Sequence, residues 1–299
     1  MSAVLSITRA GPLASVQDDG RFGMLRHGVS ASGPMDRKAF GEAGTLAGAG
    51  QGGIEITMAG IEIKVQSGRC LVGLAGGDFT AKHNGKTLDW PGAAKLKAGD
   101  VLSVTPGRRG NYGYLRFDAD LAIAPVMGSI ATSSRARLGG PAGRALQVGD
   151  VIELVGKAAL EPQGFVPAAA AAGPIRIIWG LHADLFDAAV RKRFLESDFT
   201  VSRQLDRMGV RLDDAAGVFA GATILSLASD AIVLGDIQIL GDGTPIVLMR
   251  DHQPTGGYPR IGTIITADLD RFAQLRPGTP VAFEPVTVEH AHKLLRSRT

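Results

Sequence analysis

Short runs in which apolar and polar residues alternate are the feature that most constrains the fold of this chain. Val4 to Thr8 alternates in this way, and so do Ile54 to Met58 and Ile61 to Val65. Alternation with a period of two predicts strands with one buried face, and Ala59-Gly60 between the last two runs predicts a hairpin. The 41 glycines and 15 prolines are scattered, as is typical of many short elements joined by turns. We therefore expect a mainly β protein, with an aliphatic core because aromatic residues make up only 5%.

Further segments have the signals of turns, helices and strands. Asn84-Gly85 lies between two short alternating runs and predicts a type I′ hairpin turn. A helix is predicted to start near Pro34 and to run towards Leu46. Other helices are predicted at residues 183–196, 267–275 and 288–296. The strands predicted in the second half cover residues 175–179, 223–227, 236–240, 245–249 and 260–266.

One turn pattern recurs along the chain. Residues 96–102 (Leu-Lys-Ala-Gly-Asp-Val-Leu) resemble residues 146–152 and, more loosely, residues 275–281. In each copy a glycine that permits positive φ precedes an apolar strand, and the aspartate can bond its own backbone. The recurrence predicts two related β-barrel units. An alanine-rich tract bracketed by prolines separates them, so we predict domains at residues 1–156 and 175–299, joined by a linker at 157–174.

Charge and cysteine content exclude several protein classes. The net charge is only +3, without a basic stripe interleaved with aromatics, so nucleic-acid binding is not expected. Cys70 is the single cysteine, which excludes a disulfide framework or a zinc cluster within one chain. The chain does not start like a signal peptide, and proline and glycine interrupt its most apolar stretch, residues 166–181. We therefore expect a cytoplasmic protein without a membrane span.

Two glycine motifs resemble nucleotide-binding sequences in the wrong context. Residues 48–53 match G-x-G-x-x-G, but a helix is predicted before them and a strand after them, the reverse of the required order. We interpret them as a flexible connector. Residues 84–87 (Asn-Gly-Lys-Thr) resemble the end of a P-loop, but Thr80 stands where its first glycine is needed. No metal site is expected, because His290 and His292 would lie on different faces of a helix.

Three polar, glycine-rich clusters remain, at residues 15–21 with 28–36, 202–212 and 251–259. Each combines charged and amide side chains with glycines that let the backbone approach a ligand. Ordinary turns use the same residue types, so any one cluster could be structural. Three of them in one chain favour a functional site.

The same clusters resemble the biotin-dependent carboxyltransferase family, which includes components of 5-oxoprolinase and allophanate hydrolase. The matching runs are Val-Gln-Asp-Asp-Gly-Arg at 16–21, Gly-Val-Ser-Ala-Ser-Gly-Pro-Met-Asp at 28–36, Asp-Arg-Met-Gly-Val-Arg-Leu at 206–212 and Asp-His-Gln-Pro-Thr-Gly-Gly-Tyr-Pro at 251–259. They occur in the family's order over nearly the whole chain. Ala14, Ser15, His252 and Pro254 depart from the family pattern.

The resemblance implies a fold, a reaction and partners. The implied fold has two cyclophilin-like β-barrel domains. The implied function is that of one component of an ATP-dependent amide- or lactam-processing complex, most simply a 5-oxoprolinase, active only with its partners. These would be a relative of the B subunit, similar to the Kip inhibitor, and a lactam-binding A subunit. Two alternatives remain open: a carboxyltransferase-type component that processes urea or a related amide, with biotin on a partner, and a non-catalytic antagonist of a Kip-type inhibitor.

The resemblance also implies site residues, which we expect to converge on one shared groove. A small amide needs donors for its oxygen and a group that moves protons. We predict Arg207 and Arg211 as anion contacts positioned by Asp206, and Asp251 and His252 as proton-handling groups. The predicted substrate-binding residues are Gln17, Asp18, Arg21, Met35, Asp36, Gln238, Thr255, Gly256, Gly257 and Tyr258.

Overall fold

Strands dominate the computed structural model, which describes residues 3–48, 50–156, 172–221, 224 and 227–297. The protein is mainly β with a nearly closed barrel-shaped sheet, which confirms the expected fold class. The described residues form two units, one from 3–24 and 31–156 and the other from 25–30 and 172–297. Most of the predicted linker lies outside the described residues, and the predicted domain boundaries stay a prediction. No helix in the described ranges is long and apolar enough to span a membrane.

Two antiparallel sheets build the first unit. Its strands are β1 (Ala3–Ala10), β2 (Ser15–Gln17), β3 (Gly53–Ile56), β4 (Ile61–Ser67), β5 (Arg69–Gly76), β6 (Phe79–His83), β7 (Lys86–Thr87), β8 (Gly92–Lys97), β9 (Val101–Pro106), β10 (Gly113–Phe117), β11 (Asp120–Leu121) and β12 (Val151–Val155). One sheet has the order β11-β12-β1-β4-β9-β6-β7, and the other has the order β2-β3-β10-β5-β8. Alternate residues of β1 and β4 point into an aliphatic core that includes Leu5, Ile7, Ile61 and Ile63.

The predicted hairpin of residues 54–65 is wrong, although both of its strands form. Strand β3 pairs with β2 and β10, whereas β4 pairs with β1 and β9, so the two belong to different sheets. A Cβ at Gly60 would collide with the carbonyl oxygen of Val104 in β9. Ala59-Gly60 is therefore a corner between sheets, and close packing against β9 requires glycine there.

The other turn predictions in this unit are confirmed. Asn84 and Gly85 join β6 and β7 with positive φ angles of 49° and 82°, as a type I′ turn needs. In the recurring turns, the carboxylate of Asp100 accepts a hydrogen bond from the Lys97 N–H, and that of Asp150 accepts one from the Gln147 N–H. The recurrence thus reflects one turn geometry used twice before a strand.

Helix α1 (Arg37–Ala47) packs against β5 and β10. It starts three residues after the predicted Pro34, because the Asp36 carboxylate caps it by accepting from the Ala39 N–H. Gly48 ends it in the left-handed conformation, with φ 68°. The glycines that follow are packed tightly rather than flexible: a Cβ at Gly50 would collide with the backbone of Ala119.

The second unit is built on an eight-stranded sheet. Its strands are β13 (Ile175–Trp179), β14 (Phe199–Leu205), β15 (Gly209–Asp213), β16 (Asp230–Ala231), β17 (Asp236–Ile239), β18 (Pro245–Leu248), β19 (Thr255–Gly256), β20 (Arg260–Ile264), β21 (Pro280–Val281) and β22 (Phe283–Pro285). The main sheet has the order β21-β14-β15-β18-β17-β20-β13-β22, and β16 pairs with β19. Its helices are α2 (Ala188–Glu196), α3 (Thr266–Ala273) and α4 (Val288–Arg296).

Most predicted elements of the second half form. Residues 183–185 form a separate 3-10 turn, so the predicted helix at 183–196 is shorter, as α2. The strand predicted at residues 223–227 falls mainly outside the described residues. Phe194 of α2 packs against Phe199 and Phe283, with ring centroids 5.6 and 5.0 Å away. Few aromatics are present in the sequence, and this cluster concentrates several of them under one helix.

Candidate active site

Most of the first polar cluster, residues 15–21 and 31–36, lies in the first unit, where its side chains hold neighbouring loops. Gln17 is fully buried; its Oε1 accepts from the Gly33 N–H at 3.0 Å and its Nε2 donates to the Ser15 hydroxyl at 2.9 Å. The Asp18 carboxylate accepts from the Ser129 hydroxyl at 2.6 Å and from the Ile130 N–H at 2.8 Å. Both side chains are engaged with the protein itself, so they shape this region rather than line an open surface.

Arg21 is buried in the same loop system. Its Nη2 donates to the carbonyl of Ala131 at 2.5 Å and to that of Ser129 at 3.4 Å. Only 1% of the residue is exposed. A guanidinium that donates to backbone carbonyls fixes the path of a loop. Arg21 was predicted to bind substrate, and its contacts here are those of a residue that positions a loop.

A buried carboxylate–tyrosine pair that the sequence did not reveal anchors Met35 and Asp36. The Glu55 carboxylate accepts from the Met35 N–H at 2.7 Å and from the Tyr114 hydroxyl at 2.9 Å. The Tyr114 oxygen in turn accepts from the Asp36 N–H at 2.8 Å. Burial, reinforced by the carboxylates of Glu55 and Asp36, raises the pKa of Tyr114 well above 10, so the phenol keeps its proton. Glu55 looked like the polar member of an alternating strand, and its role was not visible from the sequence.

The remaining predicted residues lie in the second unit, where Arg207 and Asp251 form a buried ion pair. Arg207 Nε and Nη2 donate to the two carboxylate oxygens of Asp251 at 2.9 and 3.2 Å. The residues are 6% exposed each. The Asp251 N–H also donates to the Arg207 carbonyl at 2.7 Å. The pair ties the turn after β14 to the segment after β18.

His252 is buried beside this pair. Burial lowers its pKa below the ordinary 6.5, against the opposing effects of a bond to the Gln253 carbonyl and of the Asp236 and Asp251 carboxylates. The Nδ1 atom lies 2.6 Å from the Gln253 carbonyl oxygen, which can only accept, so Nδ1 carries the hydrogen. His252 is therefore a neutral imidazole whose Nε2 has the lone pair.

Asp206 closes the β14–β15 turn. Its Oδ1 accepts from the N–H groups of Met208 and Gly209 at 2.7 and 3.1 Å. These bonds shape the turn itself, and the positioning of Arg207 and Arg211 by Asp206 stays a prediction.

A cavity of about 580 Å³ opens on one face of the central strands of the second unit. It is lined by Arg203, Gln204, Leu205, Asp206, Met208, Gly209, Arg211, Gln238, Leu240, Ile246, Leu248, Gln253 and Tyr258. The volume is in the range of small-ligand sites, and the lining combines an apolar floor with arginines and amides, as in such sites. Of the predicted residues, Asp206, Arg211, Gln238 and Tyr258 line it, whereas Arg207, Asp251 and His252 do not.

Three lining residues lie in a row across adjacent strands. Arg211 of β15 is directly opposite Ile246 of β18, and Ile246 is directly opposite Gln238 of β17. Neighbouring strands are about 4.8 Å apart, so the backbones of Arg211 and Gln238 are separated by about 10 Å. The row therefore has the cationic Arg211 at one end, the amide of Gln238 at the other and the apolar Ile246 between them.

Gln238 is the most unusual group in the cavity wall. It is 1% exposed, and its Nε2 has no hydrogen-bond partner among the described residues. A buried donor without a partner costs about 1–3 kcal/mol of stability. Buried polar groups are nearly always hydrogen-bonded, so the unsatisfied donor marks Gln238 as a candidate binding group.

The third cluster contributes the segment beside Gln238. Thr255 and Gly256 form β19, and a Cβ added at Gly256 would lie 2.7 Å from Gln238 Nε2. Glycine at 256 therefore leaves room for the amide. The Gly257 carbonyl accepts from the Leu227 N–H at 2.7 Å, and Tyr258 continues the segment into the cavity wall.

Arg260 anchors this segment and was missed by sequence reasoning. Its Nη1 donates to the Ala231 carbonyl at 2.6 Å and its Nη2 to the Asp230 carboxylate at 2.7 Å. Asp230 and Ala231 form β16, the partner of β19. An arginine after a glycine-rich run is a weak signal, because its partners are 29–30 residues away.

The predicted residues thus fall into two groups, one in each unit. The convergence of both groups on one shared groove stays a prediction. In the described part of the chain no cluster of three or more histidine, cysteine, aspartate or glutamate residues could hold a metal ion.

The fold and cavity define a mainly β protein with a ligand-sized, partly polar site, and comparison with known proteins identifies its family. A family model described as carboxyltransferase domain, subdomain A and B, matches residues 27–285. The chain belongs to this family.

Relatives cover nearly the whole chain. Two proteins named as the C subunit of 5-oxoprolinase, from Haemophilus influenzae and Escherichia coli, are 32% and 34% identical to it. These alignments span 95% and 97% of this chain, and 91% and 94% of the relatives. The urea amidolyase of Lachancea kluyveri is 27% identical over 98% of this chain, but over only 17% of its own length.

Solved structures show the same fold inside longer chains. The urea carboxylase of Kluyveromyces lactis matches with a TM-score of 0.87 and 25% identity, over 99% of this chain and 28% of that chain. A structure named TTHA0988 matches with a TM-score of 0.82 and 26% identity, over 94% of this chain and 55% of that chain. This chain therefore spans little more than a quarter of the former and about half of the latter.

Proposed function

We propose that this chain is one component of an ATP-dependent 5-oxoprolinase. The overall reaction converts 5-oxoproline, ATP and water to glutamate, ADP and phosphate. Two relatives named for that activity align over more than nine-tenths of their own lengths, which supports this assignment. We propose that the chain works as part of a hydrolase in the cytoplasm, only together with a relative of the B subunit and a lactam-binding A subunit.

The nucleotide requires a site that this chain's glycine motifs do not supply. Cβ atoms at Gly50 and Gly53 would collide with Ala119 and Arg116, so these glycines serve internal packing. Their amides are not arranged as a phosphate cradle between a strand and a helix. We therefore propose that ATP binds to this chain in a way unlike these motifs, at a junction with a partner, or on a partner, and that any biotin is carried by a partner.

The observation that carries the proposal is the unpartnered amide of Gln238 in the cavity wall. An amide donor aimed at a substrate carbonyl stabilises the negative charge that develops on its oxygen. Neutral His252 bonds the carbonyl of Gln253, a residue of the same cavity lining, and so fixes that part of the wall. In this arrangement Gln238 binds the lactam carbonyl, and the buried Arg207–Asp251 pair keeps the loops in place.

The test is substitution of Gln238 by leucine in the reconstituted complex. Loss of one such donor typically lowers kcat about a hundredfold or more. We expect this loss in 5-oxoproline-dependent phosphate release for Gln238→Leu, while the melting temperature is maintained or raised, because an unpaired buried donor has been removed. Full activity in the variant would contradict the role of Gln238 as a donor to the lactam carbonyl.

The matched control is Gln147→Leu, at an exposed glutamine of the first unit. It should leave both phosphate release and the melting temperature unchanged. A wild-type complex that releases phosphate with urea but not with 5-oxoproline would favour the second candidate, a carboxyltransferase-type component, which the similarity to urea amidolyase and urea carboxylase supports.

A further inference from the structure

An irregularity in strand β14 shapes the cationic end of the cavity. Val201 pairs with Leu212, but the next pair along the ladder is Leu205 with Val210. Three residues of β14, numbers 202–204, therefore stand opposite the single residue Arg211 of β15. Bulges of this kind redirect side chains and occur often beside active sites.

The bulge changes which side chains reach the cavity. In a regular strand, neighbouring residues point to opposite faces. Arg203 and Gln204 are adjacent in sequence, yet both line the cavity together with Arg211. The bulge therefore brings Arg203 and Arg211, from neighbouring strands, into the lining of the same opening.

Neither guanidinium has a close partner. In the ranges that the structure describes, the side chains of Arg203 and Arg211 form no hydrogen bond or ion pair, and Arg211 interacts with the Asp242 carboxylate only at longer range. Asp206, the carboxylate in the lining, already accepts two backbone N–H groups through its Oδ1. Like charges on adjacent strands repel. A bound anion would therefore reduce the repulsion between Arg203 and Arg211.

We propose that Arg203 and Arg211 bind a carboxylate on the substrate, so that the cavity selects an anionic lactam or amide over a neutral one such as urea. The proposal rests on the proposed function for the role of Gln238, which lies at the other end of the row through Ile246. The carboxylate is held at the arginine end, the carbon skeleton lies over Ile246, and the lactam carbonyl faces Gln238. Arginine stays charged at all relevant pH values, so the selection does not depend on pH.

The experiment measures equilibrium binding by calorimetry to the full chain in its complex. The probes are 5-oxoproline, the neutral lactam 2-pyrrolidinone, which lacks only the carboxylate, and urea. A charge-assisted hydrogen bond contributes enough to change affinity about tenfold. We expect Arg203→Gln and Arg211→Gln each to lower the affinity for 5-oxoproline about tenfold. The affinity for 2-pyrrolidinone should change less than twofold. Added salt should weaken the binding of 5-oxoproline but not the binding of 2-pyrrolidinone or urea, which carry no charge.

Arg296→Gln, which removes the same charge from the exposed end of α4, is the control and should change none of these affinities. If the cavity variants lower the affinity for both lactams equally, the substitutions have damaged the cavity shape. If the affinity for 5-oxoproline is unchanged, the arginines do not contact its carboxylate. Either result overturns the inference. Wild-type binding of urea as tight as that of 5-oxoproline would overturn it as well. Binding with the expected pattern but without 5-oxoproline-dependent phosphate release would support the carboxylate site and contradict the proposed function.

Discussion

At the scale of single residues, several buried carboxylates in this protein are paired with arginines. Asp268 is 0% exposed; burial alone would raise its pKa, but hydrogen bonds from Arg176 and the charge of Arg271 lower it overall. Arg207 and Asp251 are paired in the same way. Removing one member of a buried pair leaves an uncompensated charge, which is far more costly than removing both. The pairing explains why residues chosen as catalytic from their chemistry are at the same time structural.

A double-variant cycle tests this role for Arg207 and Asp251. We expect Arg207→Met or Asp251→Leu alone to lower the free energy of unfolding by about 3–5 kcal/mol, and the double variant to lose less than either single variant. Urea denaturation gives the free energy of unfolding of the wild type, the two single variants and the double variant. Additive losses would show that the two groups do not stabilise each other.

At the scale of elements, glycines decide how closely helix α1 approaches its sheet. Gly73 of β5 faces the helix, where a Cβ would collide with the Ala43 carbonyl and lie 2.8 Å from the Ala47 nitrogen. Gly41, on the exposed side of the same helix, has no atom within 4 Å of an added Cβ. The same residue type is thus required on one side of the contact and dispensable on the other.

The same substitution at these two glycines should have opposite effects. Gly41→Ala is expected to raise the free energy of unfolding by about 0.5–1 kcal/mol, because alanine restricts the unfolded chain and suits a helix interior. Gly73→Ala should lower it by about 1–3 kcal/mol through overpacking. Chemical denaturation of both variants gives the comparison, and a stabilising Gly73→Ala would contradict the close helix–sheet contact.

At the scale of the whole molecule, a buried neutral histidine links folding to pH. Burial holds the pKa of His252 below 6.5 in the folded protein, and unfolding returns it to about that value. Below pH 6.5 the unfolded chain binds a proton that the folded chain does not, so stability falls as the pH falls. The carboxylates of Asp100 and Asp268 have pKa values below 3.8, so their contribution is lost only at lower pH.

Replacing His252 should therefore flatten this part of the pH profile. Between pH 7.5 and pH 5, we expect the free energy of unfolding of His252→Gln to decline less than that of the wild type, as measured by urea denaturation at each pH. His290→Gln, at an exposed position on α4, serves as the comparison and should keep the wild-type decline. Identical slopes for His252→Gln and the wild type would show that folding does not lower the pKa of His252.

The sequence alone was sufficient for local structure and for the family resemblance. Alternation and turn residues act over a few positions, so β4 and the Asn84-Gly85 turn could be predicted with little knowledge of the rest. The predicted site residues also included Gln238, Arg211 and Tyr258, which do meet in one cavity.

Only the tertiary structure decided which strands pair and which charges are available to a ligand. Alternation is the same whether a strand pairs with its neighbour or with a distant one, so the assignment of β3 and β4 to different sheets was not predictable. Whether a guanidinium is paired depends on residues far along the chain. Asp251 forms an ion pair with Arg207. Arg203, in the β14 bulge, lines the cavity instead. Hydrogen-bond partners and burial arise from contacts between distant segments, and these contacts separate a structural charge from a binding one.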